Sequence, residues 1–261
     1  MPNSKKKEVK KAEKKVVQEV KKNDELVIDL DAIAIPAAII VAGLIIAGAI
    51  LLTNKGKDTT IDPTGNTDTA NQEEFPAAET VIGNSPYLGD IKKAKVAIVE
   101  YTDFQCPYCE RHATDTKPTI LKDYVDTGKI IYVVRNFPLD FHGQIAIDSA
   151  NAGLCVNELG GSSKFFDFYS KGFSKTSTDE LAAIAQSLGV NMDKYNTCMA
   201  ENRYQDQITK DMADGTAAGV SGTPGFVIGV LDKDGNVTGK LIAGAYPYES
   251  FKVIIDEMLK K

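Results

Sequence analysis

The chain has 261 residues, 43% of them apolar, and a formal charge of −6. That length holds one sizeable domain with accessories. Residues 1–31 carry nine lysines, all between Lys5 and Lys22, against seven acids. Their interleaving with Glu, just ahead of an apolar segment, argues against a nucleic-acid arm and for a membrane-topology signal.

Taken in order, residues 1–31 read as a solvated, charged cytoplasmic arm. Ala32 to Leu52 then runs twenty-one residues without a charge, and about 20 suffice to cross a bilayer as a helix. We expect an uncleaved single-pass anchor at the cell membrane, the lysine-rich flank cytoplasmic and the remainder extracytoplasmic. Thr53 to Glu79, rich in Thr, Asn, Asp and Gly, reads as a flexible tether.

The folded head spans 80–261. Val96–Tyr101, opening with the apolar run Val96–Val99, suits a buried strand, and 107–124 suits a helix with Pro107 at its first position and a kink at Pro118. Lys129–Arg135 is a second strand, making a strand–helix–strand crossover. From 142 to about 219 the pattern is helical: Gln144–Glu158, Phe165–Phe173, Thr178–Leu188 with Thr178 as N-cap, Asp193–Glu201 and Gln205–Ala218. Strand signals return at Gly225–Leu231 and near Lys240–Ile242, and Tyr248–Lys260 closes the chain as a helix. This order gives an α/β fold, a mixed sheet with an inserted helical subdomain.

The chemistry is carried by Cys106-Pro107-Tyr108-Cys109, set between strand and helix. Cys106 would sit at the helix N-terminus, where free backbone N–H groups and the dipole favour a thiolate, with a partner thiol one turn on. That is the equipment of thiol–disulfide exchange. Glu100, at the end of the strand, is expected to be desolvated, with a raised pKa suited to exchanging a proton with Cys109. Far downstream, Gly222-Thr223-Pro224 opens a strand with proline. The remaining cysteines, Cys155 and Cys198, also follow the apolar segment. Three pairings are possible in principle, of which 106–109 with 155–198 is the simplest. A second redox pair and a four-thiolate zinc site are the alternatives, and we expect no metal and no cofactor.

Glu100-Tyr-Thr-Asp-Phe-Gln-Cys-Pro-Tyr-Cys109, Arg135-Asn-Phe-Pro-Leu139 with His142, and Gly222-Thr-Pro-Gly-Phe226 together resemble the signature segments of DsbA-like thiol–disulfide oxidoreductases with a thioredoxin fold. The resemblance spans roughly 80–261. It implies that Cys106 is the attacking thiol, Cys109 the buried resolving one, Glu100 the buried acid and Pro224 a cis-proline facing the pair. Pro107, Tyr108, Thr223 and Gly222 would meet the substrate. Tyr108 stands where the most oxidising members carry histidine, and it offers a thiolate no positive partner. His112, about one turn beyond, is expected to face solvent.

The function expected from these features is an extracytoplasmic dithiol oxidase acting on exported or unfolded polypeptides with free thiols, reset by a membrane redox partner. A reductase or isomerase on the same fold is the nearest rival. A non-catalytic tethered polypeptide-binding module is a rival of another class.

Overall fold

A computed structural model of the chain describes residues 75–261. The expected arm (1–31), the anchor (32–52) and nearly all of the tether lie outside the described residues. Among the described residues no helix is long and apolar enough to cross a membrane. The chain begins with β1 (Ala77–Val81), β2 (Tyr87–Leu88) and β3 (Val96–Thr102). A helical stretch follows: α1 (Pro107–Arg111), a π-helical turn (His112–Thr116), α2 (Lys117–Ile120) and a second π-helical turn (Leu121–Val125). After β4 (Ile130–Asn136) and a 3-10 turn (Asp140–His142) come α3 (Gln144–Lys171), α4 (Thr178–Ser187), α5 (Met192–Ala200) and α6 (Gln205–Ala217). β5 (Gly225–Leu231), β6 (Asn236–Ala243) and α7 (Tyr248–Met258) complete the fold.

Six strands form one mixed sheet in the order β1-β6-β5-β3-β4-β2. β3 and β4 are parallel, as expected of the crossover, and the other neighbours are antiparallel. The β3 residues are all buried, so side-chain alternation decides which layer each one enters. Val96 and Ile98, with Ile130, Tyr132 and Val134 of β4, join a core completed by Ile120, the insert's Phe165, Phe166 and Tyr169, and α7's Phe251, Ile254 and Ile255. Ala97, Val99 and Tyr101, with Ile131 and Val133, form the opposite layer, against which Met212 of α6 packs. By the same period of two, Glu100 lies on the first face and Arg135 on the second.

Several elements differ from the sequence expectations for local physical reasons. β1 begins inside the stretch read as tether; it has only two inward residues, Ala78 and Thr80, and its pairing with β6 supplies what its pattern lacks. The helices expected at 144–158 and 165–173 are joined in α3, with Gly161 at φ 75° interrupting the helical geometry between them. Glycine reaches that left-handed region without a Cβ penalty. The N-cap of α4 is Ser177, not Thr178: its hydroxyl accepts from the Glu180 N–H. The kink expected at Pro118 is realised as the widened turn ahead of it. There the Lys117 N–H donates to the His112 carbonyl, five residues back instead of four.

The helical insert is stapled. Cys155 of α3 and Cys198 of α5 form a disulfide with Cα atoms 6.0 Å apart.

Candidate active site

Between β3 and α1 the chain turns through Asp103-Phe104-Gln105, and each residue of the turn is tied to a different neighbour. Asp103 Oδ1 accepts from the Gln105 N–H at 2.8 Å, and its other oxygen accepts from the Leu139 N–H at 2.8 Å. The same oxygen meets His142 Nδ1 at 2.7 Å. Phe104 packs against Phe173, Phe168 and Tyr169 of the insert, with ring centroids 5.3, 5.8 and 6.0 Å away. Gln105 Nε2 donates to the Lys175 carbonyl at 2.9 Å. Helical insert and post-β4 loop therefore hold the turn from two sides, and Cys106 emerges from it as the N-cap of α1, with Pro107 opening the helix.

Cys106 and Cys109 are both free thiols and both buried, at 4% and 0% exposure. The Cys106 thiol points at the Thr223 carbonyl oxygen, 3.3 Å away. Thr223–Pro224 is a cis peptide, so this expected feature does face the pair across about 117 residues of sequence. Hydrogen bonding from the Cys109 thiol pulls the Cys106 pKa down to about 5, helped by the Thr223 side chain and by the Cys109 and Tyr108 N–H groups, against the opposing effect of burial. For Cys109 burial dominates and pushes its pKa well up, with the neighbouring Cys106 and Glu100 adding to the effect. One thiol is thus prepared to ionise and the other to hold its proton.

Glu100 is fully buried on the same face. Tyr132 and Tyr169 hydroxyls each donate to one of its oxygens at 2.7 Å. Burial raises its pKa, and these phenols together with the positive charge of Lys117 partly offset the rise. Lys117 is itself only 5% exposed, its ammonium 3.8 Å from the Tyr169 ring centroid. His112 is not at the surface as expected: it is fully buried, with Phe226 and Phe251 centroids at 4.4 and 5.1 Å. It lies one regular turn beyond the buried Cys109 and so shares its inward face, and burial, with Lys117 contributing, drives its pKa down to about 3. A neutral imidazole cannot act as the positive partner that Tyr108 also fails to supply.

The remaining expected residues spread around the thiols. Tyr108 is 56% exposed with the Arg111 guanidinium over its ring at 5.0 Å, and Pro107 is exposed beside it. Tyr108, Arg111 and Thr223 line an open cavity of about 390 Å3 with Gly244, Ala245, Tyr246 and Pro247. Gly222 is half-buried and outside that lining. Arg135 has a different job, on the far face of the sheet: it binds Asp211 through two nitrogens at 2.9 and 2.7 Å and Asp214 at 2.7 Å. Among the described residues no group of three or more His, Cys, Asp or Glu could hold a metal, and Cys155 and Cys198 are committed to each other. The sequence reading missed Asp103, Tyr132, Lys117 and Tyr169. Of these only Asp103 carried a signal, as a turn-forming residue just after a strand.

Fold and site together define a thioredoxin-like protein with a helical insert and a buried dithiol at a helix start. A family model described as Thioredoxin matches residues 81–257. The chain belongs to the thioredoxin family. Oxidised BdbD of Bacillus subtilis has the same fold: TM-score 0.60, 24% identity, 72% of this chain and 100% of that one covered. A Rickettsia felis protein named "Putative protein-disulfide oxidoreductase" is 27% identical over 188 residues, 68% of this chain and 61% of its own length. The Na(+)/H(+) antiporter NhaA 3 of Salinispora tropica is 30% identical over 140 residues. That match takes in 52% of this chain but only 20% of the antiporter, so the chain spans about a fifth of that relative.

Proposed function

We propose that the protein is a DsbA-like thiol–disulfide oxidoreductase that introduces disulfides into exported polypeptides. The observation that carries this reading is the unequal setting of the two thiols: Cys106 caps a helix start with its sulfur 3.3 Å from the Thr223 carbonyl, while Cys109 is fully buried, and the Cys106 pKa is lowered and the Cys109 pKa raised accordingly. A stabilised thiolate favours the reduced form of the pair, and that makes its disulfide a strong oxidant.

In the oxidised form a substrate thiolate attacks the Cys106 sulfur, the 106–109 bond breaks, and Cys109 leaves. A second substrate thiolate then attacks the substrate's own sulfur in the mixed disulfide. The substrate disulfide forms, Cys106 departs as thiolate, and two electrons have passed to the protein. Resetting requires a partner that removes those two electrons. The Tyr108–Thr223–Tyr246 cavity beside Cys106 suits an extended peptide. The uncharged run 32–52 and the lysine-rich residues before it support an anchored, extracytoplasmic placement.

Tyr108, in place of histidine, favours a second reading, a reductase or isomerase. The reduction potential of Cys106/Cys109 separates them: a value near about −120 mV supports the oxidase, and one near about −270 mV overturns it. Cys106→Ser tests the chemistry as such. Unchanged rescue of a disulfide-dependent reporter in the cell envelope would instead support a binding module.

A further inference from the structure

Glu100 has no route to water of its own: it is fully buried, and both of its oxygens are occupied by phenols. One phenol continues the chain. Tyr132 spends its only proton on Glu100, so at the 2.9 Å contact between its oxygen and His112 Nε2 the imidazole must be the donor. His112 Nδ1 is then a bare acceptor, buried and without a partner. Such a nitrogen costs free energy, so its retention calls for an explanation. His112 also forms part of the wall of an open cavity of about 400 Å3 shared with Arg111, Asp115, Thr116, Tyr246 and Tyr248.

We propose that His112 carries protons between this cavity and Glu100 by way of Tyr132. This rests on the reading of Cys106 and Cys109 as an exchanging dithiol. To fill the carboxyl, Nδ1 takes a proton from the cavity, Nε2 passes its proton to the Tyr132 oxygen, and Tyr132 passes its own to Glu100 Oε2. One proton enters, no electron moves, and the ring ends in the other tautomer. Emptying the carboxyl runs the steps in reverse and restores the first tautomer. A cycle in which Cys109 gains and then loses a proton therefore returns the relay to its start.

The groups facing the relay are consistent with a neutral carrier. Lys117 from α2 discourages a lasting positive charge on the ring, Phe226 and Phe251 cover its faces, and Arg111 and Asp115 share the cavity wall. Around Glu100 itself stand Tyr169, Lys117, Thr102 and Cys109.

The test is a photoreleased-proton jump on the reduced protein, read by time-resolved infrared at the protonated-carboxyl stretch that Glu100→Gln removes. In His112→Phe and Tyr132→Phe the band should reach its final height at least tenfold more slowly than in the wild type. Imidazole in the buffer should restore the rate in His112→Gly. A folded His112→Phe that fills at the wild-type rate overturns the relay. If the variants do not fold, the wild type alone decides: several protons in flight make the rate curve with deuterium fraction, and a straight line overturns the relay. Failure of the wild type to oxidise a reduced peptide, with the band kinetics intact, would instead overturn the dithiol reading.

Discussion

The ammonium of Lys117 lies 3.8 Å from the centroid of the Tyr169 ring. The hydroxyl of that ring donates to Glu100 at 2.7 Å. A charge buried against an aromatic face is costly, and burial pulls the Lys117 pKa from 10.5 to about 8, with Glu100 opposing. A lysine whose folded pKa is depressed destabilises progressively as pH falls from about 10.5 and does so fully below about 8. Lys117→Met at pH 7 should relieve about 3 kcal/mol of that cost and forfeit ~1–2 kcal/mol of cation–π attraction. The expected net gain is on the order of 1–2 kcal/mol in urea denaturation. A less stable variant would refute this.

Glu100 has the opposite ionisation and a related sign. Its pKa is raised by burial, so its stabilising contribution is complete below the unfolded value near 4.5 and is lost as pH rises through the folded value. Glu100→Gln should be more stable than the wild type at pH 7 by about 1.4 kcal/mol per pKa unit of the rise, with no gain at pH 4. Its dithiol should nevertheless exchange more slowly. Paired denaturation curves at the two pH values check the first claim and peptide oxidation the second.

Cys106 sets the pH dependence of the redox couple. Its folded pKa of about 5 lies below the ordinary thiol value of 9.0. The reduced protein should therefore gain stability over the oxidised form as pH rises from about 5 to 9, and lose that advantage as pH falls back through about 5. Alkylation of Cys106 should titrate with a midpoint near 5, while Cys109 should stay unreactive in the folded protein. A midpoint near 9 would remove the argument for an oxidase.

The Cys155–Cys198 bridge encloses 43 positions of sequence. In the loop-entropy account such a closure is worth about 4 kcal/mol. Replacing both cysteines by alanine should cost that order of stability, while the folded fraction keeps its Cys106 reactivity. Loss of Cys106 reactivity at full folding would show that the bridge also shapes the surroundings of the exchanging thiols.

Much of this is legible in the amino-acid sequence alone. Val96–Tyr101, Lys129–Arg135 and Gly225–Leu231 announced themselves by apolar, β-branched runs, and the cysteine pair by its spacing between strand and helix. β1 and β2 were not legible because partner strands define them more than their own patterns do. Arg135 was visible as part of a segment, but its place on the face away from the thiols follows from pleating, and its role is an ion pair whose loss would strand Asp211. His112 and Lys117 were the deepest misreading or omission. His112 shares the inward face of Cys109 by ordinary spacing, whereas nothing in the local sequence states that the following turn is widened so as to carry Lys117 inward too.

That widened turn has a consequence for any lineage of this chain. An α-helix brings positions four apart onto one face, whereas a π-helical turn does so for positions five apart. The extra residue between His112 and Thr116 therefore works as a phase shifter. It brings the Lys117 ammonium inward five positions beyond the already buried imidazole, and it leaves Cys106 where the strand delivered it. Deleting one residue there would keep the hydrophobic composition and the dithiol motif intact. It would turn everything from Lys117 onward by about 100°, leaving the carboxylate beneath the cysteines without its counter-charge.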